Sequence, residues 1–379
     1  MHKNISNHYD ISMKRPKLET EQSVIFSPTV EWRFAHIPHV TWFKGKFYVM
    51  WASGHINEDD VGQVIRYAVS DDFMHWEPHK ILVGPVKSSG QYDAVLSPNG
   101  WHVHGDTLVA YFMSFEEDES TLVNGRRFIP PSHHMNFQDF YMTTTDGENW
   151  SDYAPRNGGG GNHSNLLLKN GELLSCETGS CTISSNPDGI NGWEKFKMFE
   201  RGYPGRPASV PEGGLDPAVD QPAGIVRDDG VGLCEVCPIE LDDGRILCFF
   251  RSGTPYLWAN FSEDGGRTWS LPEPTDFTDN RTKFHFGRLP NGKYYYIGTP
   301  DPFPPRTRHV FALSLSEDGM DYTEHYLLDD TQYKGKYVGL DKSGIYGYPT
   351  SIVRDGYLHI VFSICKEQIV AMRLPCDNL

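Results

Sequence analysis

The sequence predicts an all-β chain folded as a seven-bladed β-propeller, with a six-bladed ring as the alternative. Three observations predict it: a recurring turn, a recurring hairpin and the near absence of helical periodicity. The turn carries Ser or Thr, then Asp, often Gly, then an aromatic. It occurs as SDDFMHW from Ser70, TTDGENW from Thr144, SSNPDGINGW from Ser184, SEDGGRTW from Ser262 and SEDGMDY from Ser316. Its logic is local. The Asp side chain accepts backbone N–H bonds within the turn, Gly permits a positive φ, and the aromatic tucks back between strands. The hairpins alternate in polarity about a central turn, as in VTWFKGKFYVMWAS, LLLKNGELLSCE, PIELDDGRILCFFR, GRLPNGKYYYIG and SIVRDGYLHIVFS. A unit of about 40–55 residues divides the chain into roughly seven blades.

The remaining segments fit that plan. The first 24 residues read as an arm, either flexible or closing the ring, and residues 25–379 as one propeller domain. RNGGGGNHSN and RPASVPEGGLDPAVDQPAG read as loops between blades. Apolar residues make up 38% and aromatic residues 13%, enough for a core. No run approaches the apolar length that spans a bilayer, so no membrane partner is expected. The N-terminal residues lack the apolar stretch of a secretory signal, which sets a cytoplasmic location as the expectation. The net charge of −16, with no basic stripe to offset it, excludes a nucleic-acid partner. An anionic ligand would need locally gathered Arg and His. The seven cysteines are scattered, and Cys234-x-x-Cys237 has no second pair at zinc-ribbon spacing, so they read as reduced buried thiols.

The recurring turns resemble the Asp-boxes of sialidases. A more specific resemblance runs from about Arg33 to Pro375. It is carried by HIPHVTWFKGKFYVMWASGHINEDDVGQVIRYAVSDDFMHW, GWHVHGDTLVAYF, NRTKFHFGRLPNGKYYYIG and GIYGYPTSIVRDGYLHIVFSICKEQIVAMRLP. These segments are similar to propeller polysaccharide lyases and rhamnosidase-like proteins, among them L-rhamnose-α-1,4-D-glucuronate lyases and ulvan lyases. The resemblance implies an exo-acting lyase that cleaves a 4-linked uronic acid glycan by β-elimination, for example releasing rhamnose. It implies an anionic oligosaccharide partner and no cofactor for the chemistry. By spacing it implies a catalytic His36–His55 pair, with His39 as an alternative to His36. It likewise implies a Tyr111–Arg127 pair, with Arg126 as an alternative to Arg127. Such chemistry needs a fork to neutralise the sugar carboxylate, which Arg supplies, and groups to move protons, which His and Tyr supply. Each residue also has a plainer reading: Tyr111 alternates into a strand in TLVAYF, and the others suit loops.

A second constellation lies in the later blades. Glu235 is followed by Arg251 at a spacing reminiscent of the sialidase Glu and its carboxylate-binding Arg. Lys283, His285 and Arg288 follow in KFHFGR, and Tyr346 and Tyr348 in GIYGYP. With Gln63 and His104 of the His102-x-His104 pair, these form the expected substrate-binding set, and Arg288 has a competing role as a turn anchor. His133–His134 sits in a Pro-bounded loop that reads as lining the mouth. A sialidase needs three arginines and a Tyr–Glu nucleophile pair, and usually begins with Arg-Ile-Pro. Here Arg33 is separated from Ile37-Pro38, and the third arginine is not placed. The alternatives are therefore a glycoside hydrolase, with Glu58, Asp59, Asp60 and Glu235 as candidate carboxylates, or a non-catalytic glycan-binding propeller. The sequence assigns no ligand set to a divalent ion, and leaves the oligomeric state open.

Overall fold

The computed structural model describes residues 2–127, 134–199 and 231–379. They form six four-stranded antiparallel blades, so the seven-bladed expectation is corrected to six. Blade 1 comprises Phe34–Phe43, Lys46–Gly54, Val64–Ser70 and Lys80–Val83. Blade 2 comprises Val95–His104, Thr107–Glu117, His134–Thr144 and Ala154–Pro155. Blade 3 runs through Leu166–Leu167, Leu173–Glu177, Ser180–Ser184 and Trp193–Lys197. Blade 4 holds Val236–Glu240, Ile246–Phe250, Tyr256–Ser262 and Glu273–Thr278, and blade 5 holds His285–Arg288, Tyr294–Gly298, Phe311–Ser316 and Tyr322–Asp329. Blade 6 is made from both ends of the chain: Tyr346–Arg354, Tyr357–Ile364 and Gln368–Pro375, closed on the outside by Glu21–Phe26. First strands begin 49 to 71 residues apart, a longer unit than the turns implied, because loops of uneven length separate the strands.

The five Asp turns each join the third strand of a blade to its fourth, in blades 1 to 5. In each, one carboxylate oxygen accepts two successive or near-successive backbone N–H groups. Asp72 accepts from Met74 and His75, Asp146 from Glu148 and Asn149, and Asp188 from Ile190 and Asn191. Asp264 accepts from Arg267 and Thr268, and Asp318 from Met320 and Asp321. Blade 6 has no such turn because its third and fourth strands are the two ends of the chain. Five turns therefore mark six blades.

The described residues before Glu21 are held in place. His2–Ser6 adds a parallel outer strand to blade 4, with Ile5 fully buried, and Lys17 bridges Leu327 of blade 5. Hydrophobic cores lie between adjacent blades. Trp51, Val49 and Phe47 of blade 1 pack on Val361 and Ala371 of blade 6, and Phe249 and Leu247 of blade 4 on Phe286 and Tyr296 of blade 5. Each Val, Leu or Phe among them contributes about 1.5–3 kcal/mol on full burial. Among the described residues helix is confined to two short 3₁₀ turns, Glu119–Thr121 and Cys376–Asn378.

Candidate functional site

A cleft of about 240 Å³ opens at the end of the ring where the first strands of the blades begin; Asp59, His134, Glu235, Lys283 and Tyr348 are among its lining residues. Two bulges shape it. The ladder of Phe34–Phe43 shifts register between His36 and His39, with Ile37 at φ +57°. The ladder of Tyr346–Arg354 shifts between Gly347 and Thr350, with Tyr348 at φ +55°. Bulges of this kind re-aim side chains and recur beside active sites.

Glu235 immediately precedes the first strand of blade 4, and Arg251 immediately follows the second, so antiparallel pairing sets them side by side. The Arg251 guanidinium donates to Glu235 Oε1 at 2.8 Å and Oε2 at 2.9 Å, and to the Tyr348 hydroxyl at 3.0 Å. The Tyr348 hydroxyl in turn donates to Glu235 Oε1 in a short hydrogen bond. Burial opposes ionisation of Glu235, but the Arg251 charge and the Tyr348 bond outweigh it and hold the carboxyl well below its usual range. Burial, and then the Glu235 charge, push the Tyr348 phenol well up. The pair therefore rests as carboxylate and phenol, joined by that hydrogen bond.

Cations surround this pair, although the chain as a whole is acidic. Arg308 lies 5.9 Å from the Tyr348 ring centroid and donates to the Arg281 carbonyl at 3.4 Å; its Nε and one terminal nitrogen have no partner among the described residues. Lys283 lies 5.7 Å from the same ring, is 1% exposed, and its Nζ also has no partner there. Burial, only partly offset by Glu235, lowers the Lys283 ammonium to about 8. The His36 ring lies tilted against that of Tyr348, centroids 4.1 Å apart, and bonds Ser363 Oγ through Nδ1 at 2.6 Å. Burial, then the charges of Lys366, Arg308, Lys283 and Arg251, keep its imidazole neutral. His36 stands directly before Ile37-Pro38, so the place expected for arginine in Arg-Ile-Pro is filled by histidine and not by Arg33.

The opposite wall is carboxylic. Glu58 pairs with Lys366 in a short contact and lies 3.9 Å from His36 Nε2. Asp59 is held by Gln63, whose Oε1 accepts the Asp59 N–H at 3.1 Å while its amide donates to the Leu96 carbonyl. Burial raises the carboxyls of both Glu58 and Asp59, against the opposing charges of Lys366 and His134 respectively. His134 bridges this wall, 3.9 Å from Asp59 and 2.7 Å from Glu117. Asp60 is turned to Asn57 and braces the loop.

The structure does not assemble the four side chains expected for β-elimination. His36 is in the cluster. Arg127 borders it, donating to the Glu58 carbonyl at 2.7 Å and pairing with Asp341 at 2.9 Å. His55 stacks on Trp32 at 4.2 Å and bonds the Glu31 carbonyl. Tyr111 is fully buried: its hydroxyl donates to the Gly189 carbonyl and accepts from Asn165, and Arg156 lies over its ring. Its phenol is pushed up by burial, which makes it a packing residue and not a base.

Several binding candidates also lie elsewhere. His104 ends its strand at the opposite edge of the ring, and His102 caps the Pro187 carbonyl. Arg126 is exposed in the small hairpin Leu122–Val123 with Arg126–Arg127. Arg288 pairs with Asp242 and donates to the Gly292 carbonyl, anchoring its turn. Tyr346 is buried on Phe311 and bonds the Thr331 carbonyl. His39 and His285 lie one layer below the cleft, and His133 lies outside the described residues. The residues that sequence reasoning missed are Arg308 and Lys366. Arg308 stands in PPRTRH just before the third strand of blade 5, a placement that local pattern does not distinguish from that of a solvated loop cation.

Comparisons with known proteins agree with the fold. A protein of unknown function from Dyadobacter fermentans superposes with TM-score 0.63 at 14% identity, covering 94% of this chain and 98% of that one. Trypanosoma rangeli sialidase in complex with the inhibitor DANA superposes with TM-score 0.61 at 11% identity, covering 94% of this chain but 59% of that one. The intramolecular trans-sialidase from Ruminococcus gnavus superposes with TM-score 0.58 at 13% identity, over 94% of this chain and 98% of that one. No match was found among the curated proteins. At these identities the likeness establishes a sialidase-like propeller fold. Residues 45–360 match the BNR repeat-like domain, and the chain belongs to that family.

Proposed function

We propose that the chain is a glycosidase that removes a carboxylate-bearing sugar from an anionic oligosaccharide by nucleophilic displacement. The observation that carries this reading is the Tyr348–Glu235–Arg251 constellation at the floor of the cleft. Tyrosine is the nucleophile in sialidases, an exception to the usual carboxylate. Glu235 takes the phenolic proton as Tyr348 Oη bonds the anomeric carbon, and Arg251 steadies the charge that shifts between them. The glycosidic C–O bond breaks, and its oxygen takes a proton from Asp59, whose carboxyl burial raises. Water then attacks the tyrosyl intermediate with Asp59 as base, returning the proton and the phenol and retaining configuration. The unpartnered nitrogens of Arg308 and Lys283 offer the sugar carboxylate its partners. Histidine in place of the first arginine leaves Arg308 and Lys283 as the cations open to the carboxylate, which favours a sugar acid other than the one a three-arginine site takes.

The β-elimination reading loses its support, because Tyr111 and His55 are engaged away from this cluster. The test is incubation with a panel of oligosaccharides ending in sialic or uronic acids, rhamnosyl-glucuronate included, followed by mass and NMR measurement. The expected product carries one added water and retains its anomeric configuration. An unsaturated product without added water would restore the lyase reading, and binding without turnover across the panel would make the propeller a glycan binder.

A further inference from the structure

We propose that the channel directly beneath the cleft is a transition-metal site of zinc type, held by His163, Cys237 and His285, with His39 as the fourth ligand. The strand period of two produces it. Glu235 and Lys283 face the cleft, so Cys237 and His285, two residues further along the same chain segments, point to the same axis one layer down. The bulge after His36 sets His39 at the corresponding level of blade 1. His163 enters from the glycine-rich loop ahead of blade 3.

One ligand atom from each of His163, Cys237 and His285 lies within 4.8 Å of the other two. Zinc bonds of about 2.0–2.3 Å place tetrahedral ligands about 3.3–3.8 Å apart, so closure asks for side-chain rotations of about 1 Å. A second observation points independently to a ligand. Both ring nitrogens of His163 and both of His39 are buried without a hydrogen-bond partner, apart from loose approaches to the Phe284 and Pro98 carbonyls. The two side chains belong to residues 7% and 1% exposed, and four unpaired imidazole nitrogens in one buried channel carry a desolvation cost that coordination removes. His285 is already oriented by a hydrogen bond from Nδ1 to Ser351 Oγ at 2.7 Å, which leaves Nε2 for the metal, the usual arrangement for a metal-bound histidine. One thiol and imidazoles form a borderline-to-soft set that selects zinc-like ions over calcium or magnesium. On binding, Cys237 releases its thiol proton to solvent and the thiolate takes the metal, offsetting part of its charge beside Lys283.

Such an ion would tie blades 1, 4 and 5 and the loop before blade 3 across the axis, a connection that neighbour-to-neighbour packing cannot make. The test is metal content of the full chain after equilibration with zinc and desalting, read by mass spectrometry, in wild type, Cys237→Ser and His163→Asn. The expected result is about one zinc per chain in wild type and at least a tenfold loss in both variants. Cobalt replacing zinc is expected to show a thiolate charge-transfer absorption that Cys237→Ser abolishes. Circular dichroism checks folding, and His163→Asn, on a loop, guards against a Cys237→Ser chain that fails to fold. Wild type holding no more zinc than the folded variants, or a cobalt spectrum without the thiolate band, would overturn the assignment. None of these readouts depends on sugar turnover.

Discussion

Tyr348, in the first strand of blade 6, and Tyr111, in the second strand of blade 2, are the same residue type with opposite prospects. Tyr348 is held at φ +55°, a conformation that residues with a Cβ rarely adopt, and its hydroxyl donates to the Glu235 carboxylate. Tyr111 spends its hydroxyl on the Gly189 carbonyl. Tyr348→Phe is therefore expected to lower kcat by about 10³-fold or more with the fold intact. Tyr111→Phe is expected to keep turnover but lose about 1 kcal/mol in urea unfolding, since the Asn165 amide loses its acceptor while the Gly189 carbonyl keeps the Trp193 indole N–H. Asp59 provides a pH signature. Burial raises its carboxyl, so the acid form persists above the ordinary carboxylate range, and kcat/KM is expected to fall as pH rises through that raised value. Asp59→Ala should flatten that limb of the pH profile, and should cost far less on a nitrophenyl glycoside, whose leaving group needs no proton, than on an oligosaccharide. Sequence reasoning had the Glu235–Arg251 pair in view through a spacing reminiscent of sialidases and Tyr348 through GIYGYP, and the structure places the first two side by side because the start of a first strand adjoins the end of a second. Arg308 was not legible, because nothing in PPRTRH signals that its guanidinium turns toward the axis.

The Asp turn is the element that repeats most faithfully, and its energetics are local. Asp318 accepts two backbone N–H groups at 2.8 Å each, and Gly319 beside it adopts φ +77°. Asp318→Ala is expected to cost about 1–2 kcal/mol, read as a lowered midpoint in thermal unfolding. In Asp72 and Asp146 hydrogen bonds to the charged form, His75 and Asn149 side chains first, hold the carboxyls well below their usual range. Folded-state values below the unfolded ones mean a contribution that is complete above about pH 4 and lost as pH falls through the folded-state value. A thermal-unfolding series should therefore show stability dropping on acidification, and less steeply in Asp146→Ala than in wild type. The absence of a sixth turn is the signature of how the ring closes.

At the scale of the molecule, closure depends on Glu21–Phe26 pairing with Gln368–Pro375. A chain beginning at residue 27 would leave blade 6 with three strands and an open edge. Calorimetry of that truncated chain is expected to show a loss of cooperative unfolding, together with concentration-dependent association. Strand alternation, hairpin centres and turn chemistry are interactions among residues a few positions apart, so the all-β class, the repeat and the position of most hairpins could be read from the order of amino acids. Blade number could not, nor could which of the candidate side chains meet in one cleft. A ring is closed by contacts between its two ends, and the cleft joins His36, Asp59, Glu235, Lys283, Arg308 and Tyr348 across some three hundred positions. Whether a given His, Tyr or Arg reaches that axis turns on bulges and on packing between blades, and those are properties of the assembled ring.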